Sequence, residues 1–437
     1  MQATCAGRAE IHGQGGVFDS DRADCPAGWD EELSVLSTER PTRDGSVSNL
    51  KAKQHIDRLL GPAICSVLTV LKRLRRKRAA PDPAHARYLV IKFWGMGSII
   101  LASSGIQELR KRYPDAHVTL LTLSRNFEII RLLGIADQVE SLEVDKGLLV
   151  LAADMVRLIG RLWARRIGIV IDLEFFTRFS AIITWLIGAP VSGGFYDSAV
   201  WRGYLHTLEV PFNRRWHTRR NFENLIAHCA QLSLPDGLPL ARPRTGETAR
   251  QAVDALLAPA DARKLVVVNP NAGELAYERR WPASHVTQLV AMLAKLPHIR
   301  VALIGTAGEA AFVTEIHAAV VRLTDTPTLN LAGALTLEML CALLERAAYL
   351  ITNDSGPLHL ALALGVPTVS FFGPETPAMY GPPDDGRHLV FFKNLASSPC
   401  INVHNGKIVH CVRSSPECLE TILPEEVRDA MQQRGLI

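Results

Sequence analysis

The sequence predicts an α/β protein made of two successive halves, each a parallel sheet flanked by helices. Strand-like and helix-like runs alternate from Arg87 onward and again from Lys264 onward, and such alternation calls for crossover connections and parallel strands. In each half the first strand runs into a glycine-bearing turn, Trp94-Gly95-Met96-Gly97-Ser98 and Asn269-Pro270-Asn271-Ala272-Gly273. The 437 residues are 48% hydrophobic and 21% charged, enough for two sizeable cores. A net charge of +4 is small for this length and argues against a nucleic-acid partner. The eight cysteines are scattered, several of them in apolar runs (Cys65, Cys229, Cys341), and residues 1 to 30 carry no secretory pattern. Both features favour a reducing cytoplasm over a disulfide framework.

Residues 1–50 are polar, glycine-rich and without periodicity, and are expected to form a disordered tail. Residues 51–80 are expected to form an amphipathic basic helix. The uncharged run Leu59–Leu71 leads straight into Lys72, Arg73, Arg75, Arg76, Lys77 and Arg78. Its thirteen residues fall short of the roughly 20 needed to span a bilayer. An apolar helix with a cationic end suits an anionic membrane surface; packing on the protein with a solvated basic end is the alternative. Pro81-Asp82-Pro83 then marks a boundary.

In the first half, strands are expected over Tyr88–Phe93, His117–Thr122, Val139–Leu142 and Ile167–Asp172. Helices are expected over Ile99–Tyr113, Phe127–Leu133, Leu148–Arg165, Phe179–Ile187 and Asn221–Leu232. Residues 195–224 gather aromatic rings and cations, among them Trp201, Arg202, His206, Trp216, His217 and Arg220. That mixture reads equally as a surface for a sugar or anion and as a solvated loop with packed rings. Prolines and glycines over 235–246 read as the linker, which divides the chain into units 87–245 and 246–437.

The second half alternates in the same way: strands from Leu265, Val301 and Thr328, and helices over Pro282–Leu296, Ala310–Val321 and Thr336–Arg346. The strand Ala347–Ile351 ends at Asn353-Asp354-Ser355-Gly356, a turn suited to a helix N-terminus. A short apolar helix then runs to Gly365, and Val366–Phe372 is a buried-strand pattern closed by Gly373-Pro374. The turn offers a carboxylate, a hydroxyl, backbone N–H groups and His359, which together suit an anion; an ordinary loop with Asp354 as a helix cap and His359 packed on a helix face is the plainer reading. Two such halves facing each other make a cleft lined by the carboxyl ends of strands.

Asn353–Ala361 with Gly365-Val366-Pro367 and Phe372-Gly373-Pro374 resembles the nucleotide-sugar signature of glycosyltransferase family 9, the ADP-heptose:lipopolysaccharide heptosyltransferases and their relatives. Asn269–Gly273 followed by Arg279-Arg280-Trp281-Pro282 is similar to a second signature, and Tyr88–Ser104 to the N-terminal one. The resemblance covers about residues 87–430. It implies the GT-B fold, with the acceptor in the first half, the donor nucleotide in the second, inversion at the transferred sugar, and no metal or other cofactor. It implies a nucleotide diphosphate sugar, ADP-linked, as donor and a lipopolysaccharide or lipid-linked glycan as acceptor. It also implies a peripheral location on the cytoplasmic face of the inner membrane. Residue by residue, it assigns Arg279 to the diphosphate and Asn269, Gly273, Ser355, Gly356 and Thr306 to the donor pocket. Glu309 is assigned to the ribose, and Asp354 and His359 to the sugar-phosphate region.

The sequence departs from the family at Ser98, where relatives carry an aspartate read as the general base. A serine hydroxyl cannot serve alone as a base near neutrality. Three accounts stay open: Asp172 or Glu174, at the end of a neighbouring strand, takes the proton; transfer needs little base help because an oxocarbenium-like centre is strongly electrophilic; or the protein binds donor or glycolipid without catalysis. An epimerase-type activity on the nucleotide sugar alone is a further alternative. A second departure, Pro374-Glu375-Thr376-Pro377, bears on donor preference. Near the C-terminus, Cys400, His404, His410, Cys411 and Cys418 lack a CxxC pair, so a structural, redox-inert role is preferred to zinc. A terminal helix from Pro424 is expected to cross to the first half.

Overall fold

The computed structural model describes residues 45–437 apart from 77, 144–146, 199, 260, 274–276, 402–410 and 412–414, and without the side chains of 45–56, 58, 148 and 149. The expected tail therefore lies, as far as residue 44, outside the described residues. Among the described residues helix α1 (Gly45–Leu74) comes first. The first half follows as β1 (Arg87–Ile91), α2 (Met96–Arg112), β2 (His117–Leu123), α3 (Phe127–Leu133), β3 (Gln138–Leu142), α4 (Leu148–Ala164), β4 (Ile169–Asp172), α5 (Arg178–Ile187), β5 (Val191–Tyr196), β6 (Leu208–Pro211) and α6 (Thr218–Ala230). The second half begins with α7 (Glu247–Leu256), β7 (Lys264–Asn269), α8 (Ala283–Ala294), β8 (Ile299–Leu303), α9 (Ala310–Leu323), β9 (Leu329–Asn330) and α10 (Leu337–Arg346). It ends with β10 (Tyr349–Asn353), α11 (Gly356–Leu364), β11 (Thr368–Phe372), α12 (Pro377–Tyr380), β12 (Leu389–Phe392), α13 (Glu417–Glu420) and α14 (Pro424–Gln433).

Both sheets are six-stranded, ordered β3-β2-β1-β4-β5-β6 and β12-β11-β10-β7-β8-β9. Neighbouring strands pair parallel throughout. The fold is thus two Rossmann-like sheets, the GT-B arrangement that the resemblance implies. Each sheet grows outward from a central pair and reverses there, β1 beside β4 and β7 beside β10. Such a switch point leaves a crevice at the strands' carboxyl ends. The registers Ile91 opposite Asp172 and Asn269 opposite Thr352 put the strand-end residues of both halves at those crevices.

The central strands are buried on both faces, which explains their near-continuous apolar sequences. The sequence passes over β5, β6 and β12. β5 carries Gly193 and Gly194, which weaken a strand pattern. Both are needed for close approach: a Cβ at Gly193 would lie 2.1 Å from Cys229 Sγ, and one at Gly194 2.5 Å from His206 Nε2.

α1 starts before the expected segment, at Gly45, and lies against α5. Cys65 is buried with Ala181 and Leu205, and Leu68, Ile182 and Trp185 flank them. The terminal helix corrects an expectation. α14 stays in its own half, where Val427 and Met431 share a core with Trp281, Val286 and Leu293 of the segment leading into and through α8. Trp281 anchors that core, since its ring stacks on Phe371 at 4.2 Å and its Nε1–H donates to the Ile422 carbonyl at 2.9 Å. Trp281→Ala should lower unfolding stability by about 3–5 kcal/mol; a denaturant midpoint close to wild type would contradict this packing role.

Candidate functional site

The site forms where the first turns of α2 and α11 meet. Gly97 lies so close to the His359 ring that a Cβ would sit 2.3 Å from its Cδ2, and a Cβ at Gly356 would sit 2.3 Å from Met96 Cε. α2 begins behind Gly95, whose φ of 82° is a turn conformation that glycine adopts readily. α11 begins behind Ser355 in extended backbone. Neither helix has a side-chain cap. Two N-terminal turns, each with unsatisfied N–H groups and partial positive charge, therefore face one crevice, an arrangement that favours an anion.

On the second-half side, Asn269 at the end of β7 donates through Nδ2 to Thr352 Oγ1 at 3.0 Å, Ser355 Oγ at 3.1 Å and the Asn271 carbonyl at 3.2 Å. Asn353 answers from β10. Its Nδ2 donates to the Pro270 and Asn271 carbonyls at 2.9 and 3.2 Å, and its Oδ1 accepts from Trp281 N–H at 2.8 Å. These amides fix the loop after β7 against the α11 turn. Arg279 reaches in from that loop, its Nη1 donating to Asp354 Oδ2 at 3.1 Å and its Nη2 to the Ala272 carbonyl at 3.2 Å. Its buried Nε has no partner among the described residues. Gly273, with φ 72°, is exposed at the same loop. Arg280 lies between the rings of Tyr277 and Phe312, 4.5 Å from each, and burial pushes its guanidinium below its ordinary value.

Thr306 and Glu309 sit one strand over, after β8. The Glu309 carboxylate accepts from Thr306 N–H and Oγ1, both at 2.9 Å, closing a capping box. Both remain accessible. The link to the main cluster runs through Asn271, whose Nδ2 donates to the Ile304 carbonyl at 3.3 Å.

On the first-half side, Ser98 is buried in the first turn of α2, next in the chain to Gly97 and with its hydroxyl toward Gly95. Glu174 lies behind the turn that leads there. Its Oε1 accepts from Lys92 Nζ at 3.0 Å and from the N–H groups of Phe93 and Trp94, while Asn126 Nδ2 donates to the Phe93 carbonyl at 2.8 Å. Asp172 is placed otherwise than an accessible proton acceptor requires. It is 0% exposed. Its Oδ1 accepts from Glu174 N–H at 3.1 Å, and its Oδ2 from Ser180 Oγ and His206 Nε2 at 3.0 Å each and from the Arg202 guanidinium. Burial pulls its carboxyl upward, but Arg202 and His206 outweigh that and hold it below the usual range. The same burial keeps His206 below its ordinary value. Asp172 thus anchors the 202–206 loop to the end of β4.

The aromatic-cationic stretch divides accordingly. Arg202 and His206 serve Asp172, Phe195 joins the Phe175, Phe212 and Phe222 ring cluster, and Arg214 pairs with Asp197. Arg220 covers the Trp216 ring at 4.4 Å beside a surface cavity of about 350 Å³ that Glu223, Asn224, His228 and Asp236 also line. Near the C-terminus, burial pushes the Cys418 thiol up to about 11 and the Cys400 thiol upward too. His404 and His410 lie outside the described residues. Among the described residues no group of three or more His, Cys, Asp or Glu side chains is arranged to hold a metal ion, and no helix is long and apolar enough to cross a membrane.

Sequence reasoning missed Lys92 and Asn126, and it named Asn271 and His217 only as members of a turn and of an aromatic-cationic stretch, with no role of their own. A lysine in the otherwise apolar run Leu89–Phe93 was a signal for a buried partner. For the others the bonds that matter reach distant segments, Asn126 to Phe93, Asn271 to Ile304 and His217 to Gly381, which no local pattern signals.

Comparison with known proteins follows the same lines. The family model for glycosyltransferase family 9 (heptosyltransferase) matches residues 155–407. The chain is similar to lipooligosaccharide heptosyltransferase 2 of Campylobacter jejuni, 24% identical over 265 residues that span 60% of this chain and 75% of that protein. It is also similar to lipooligosaccharide heptosyltransferase 2 of Haemophilus influenzae, 32% identical over 177 residues, 39% of this chain and 50% of that one. In fold it is similar to the solved structure of the E. coli ADP-heptose LPS heptosyltransferase II, with a TM-score of 0.63 and 21% identity over 80% of this chain and 98% of that one. The unmatched remainder of this chain is about as long as the stretch before β1.

His217 ties the halves on one side of the crevice. Its Nδ1 accepts from Arg219 N–H at 3.1 Å, so its proton sits on Nε2, which donates to the Gly381 carbonyl at 3.1 Å. Burial drives its imidazole down to about 4, against the pull of that carbonyl bond. An unfolded histidine titrates near about 6.5, so the unfolded chain takes up the proton first as pH falls. The stabilisation is fully present above about pH 6.5 and is lost as pH drops toward about 4. Denaturant midpoints of the wild type should fall across that window, and those of His217→Gln should fall less steeply; equal slopes would remove His217 from this role.

Proposed function

The chain belongs to glycosyltransferase family 9, and from that premise we propose that it is an inverting glycosyltransferase. It moves a heptose or related sugar from an ADP-linked nucleotide diphosphate sugar to a lipopolysaccharide or lipid-linked glycan. The first half, 87–245, takes the acceptor and the second, 246–437, the donor. The reaction runs at the cytoplasmic face of the inner membrane, with residues 51–80 meeting an anionic surface. The observation that carries this reading is the meeting of two uncapped helix N-termini beside Arg279.

In this reading the donor's diphosphate lies at the first turn of α11. It draws Arg279 from Asp354, and a guanidinium with an unused Nε–H becomes its charged partner. Backbone N–H groups and the Ser355 hydroxyl stabilise the charge that builds on the leaving phosphate, and no metal ion is required. Asn269 and Asn353 hold that turn rigid, so little reorganisation accompanies the reaction. Glu309 and Thr306 border the nucleoside end, and His359 the sugar-phosphate region.

On the acceptor side Ser98 orients the attacking hydroxyl. Bond breaking at the anomeric carbon runs ahead of proton loss, so base help is small and the proton passes to water; Glu174, buried and bonded to Lys92, Phe93 and Trp94, holds the turn before α2. Asp172 contributes by holding the 202–206 loop. Ser98 in place of an aspartate also motivates a second reading, a protein that binds the nucleotide sugar or glycolipid without turnover.

Calorimetry with ADP and ADP-linked sugars tests the donor site. Arg279→Ala should weaken binding by about tenfold to a hundredfold, the worth of a charge-assisted hydrogen bond; unchanged affinity would displace Arg279 from the diphosphate. Turnover tests the acceptor side. Ser98→Ala should lower kcat less than about tenfold, since general-base removal costs about a hundredfold or more. Donor binding with no transfer to any acceptor, unaltered by Ser98→Asp, would favour the binding-only reading.

A further inference from the structure

α1 has two faces of different character. From Asp57 onward its inner face is engaged by the protein. Asp57 accepts from the backbone N–H groups of Arg178 and Phe179 at the start of α5. Gly61 lies on the Arg178 side chain, Cys65 is buried, and Thr69 Oγ1 accepts from Tyr204 N–H. Lys72 Nζ donates to the Tyr204 and His206 carbonyls at 2.6 Å each. Arg75 stacks on the Trp185 ring at 3.8 Å and donates to its carbonyl.

The outer face carries Leu59, Leu60, Ile64, Val67, Val70, Leu71 and Leu74, all between 42% and 79% exposed. Their spacing follows one side of a helix for about 24 Å. A continuous apolar stripe of that length is more than a soluble surface ordinarily leaves in water. No acidic residue occurs from Leu59 to Ala80. The exposed Arg73, Arg76 and Arg78 cluster at the helix end. The loop that the inner face clamps adds two exposed rings, Trp201 and Tyr204, alongside the helix.

We propose that the outer face of α1, rimmed by Trp201 and Tyr204 and ended by Arg73, Arg76 and Arg78, is a preformed docking surface for an anionic lipid bilayer. The helix lies in the plane of the interface while its inner face stays on α5. The inference rests on the membrane location proposed above and deepens it, because it assigns the lipid contact to one face and to a loop outside residues 51–80. Charge decides the occupant. A second copy of this face would bring cations and apolar side chains with no carboxylate to meet them, whereas a bilayer supplies both acyl chains and anionic headgroups. The aromatic rings suit the headgroup level. Since Lys72 and Arg75 are held by carbonyls of the body, docking needs no release of the helix.

Co-sedimentation of the full chain tests this, with vesicles of phosphatidylethanolamine and phosphatidylglycerol compared with phosphatidylcholine alone. The wild type should partition onto the anionic vesicles and lose binding as salt rises. Val67→Glu with Val70→Glu, both at exposed positions, should weaken partitioning at least about tenfold, and so should Arg73→Ser with Arg76→Ser and Trp201→Ser with Tyr204→Ser. Thermal midpoints check that each variant folds. Wild-type binding that none of the three pairs reduces would overturn this surface while leaving the membrane location intact. No wild-type binding to either vesicle would overturn both. A dimer in light scattering that Val67→Glu with Val70→Glu dissolves would assign the face to a second copy and overturn the proposal. None of these readings depends on turnover, so a failure of the proposed reaction stays separate.

Discussion

Everything in this molecule is arranged around the contact between the first turns of α2 and α11. Two helix N-termini repel each other weakly, and neither is relieved by a side-chain cap. They are held together by ties placed around them: Arg131 to Glu338, Arg242 to the Leu364 carbonyl and Glu345, and His217 to Gly381. The contact is close because Gly97 has no side chain to meet the His359 ring, while Gly356 faces the flexible end of Met96. The stability of the interdomain surface thus sustains a point that is electrostatically incomplete, of the kind that suits an anion.

Behind each helix stands a polar platform that the strand order creates. Where β7 and β10 meet, the Asn269 and Asn353 amides cross-link the two strand ends and the loop that carries Arg279. Where β1 and β4 meet, the work is divided between two carboxylates. Glu174 gathers Lys92 and the turn before α2, and Asp172 gathers Arg202, His206 and Ser180. Buried charges of this kind are tolerated because each has several donors, and removing one partner would strand the other. The two carboxylates sit two residues apart in sequence yet serve opposite sides of the strand end.

α1 joins this arrangement from outside. It reaches the 201–206 loop through Thr69 and Lys72, and that loop returns Arg202 and His206 to Asp172. The helix is therefore continuous, through hydrogen bonds, with the end of β4. Its inner face reads in sequence as weakly polar and its outer face as strongly apolar, the reverse of an ordinary surface helix.

The sequence by itself determined the alternation, the parallel sheets, the two glycine turns and the polar turn that opens α11. Each of these rests on local chemistry: apolar periods, turn residues, and helix starts within Asn353–Gly356 and Trp94–Ser98. Periodicity also made the basic amphipathic helix legible, though not which face would be left open. Tertiary structure alone decided that Asp172 is a buried anchor and Glu174 a support for the turn, because burial and partners from Arg202, His206 and Lys92 are set by strand order, not by spacing. It decided that β5 is a strand despite its glycines, since Cys229 and His206 occupy the space side chains would take. It also kept α14 at home on Trp281, where apolar area was available. Above all it brought Gly97 to His359, two residues 262 positions apart in the chain, a contact that no local pattern encodes because it depends on how two complete sheets close on each other.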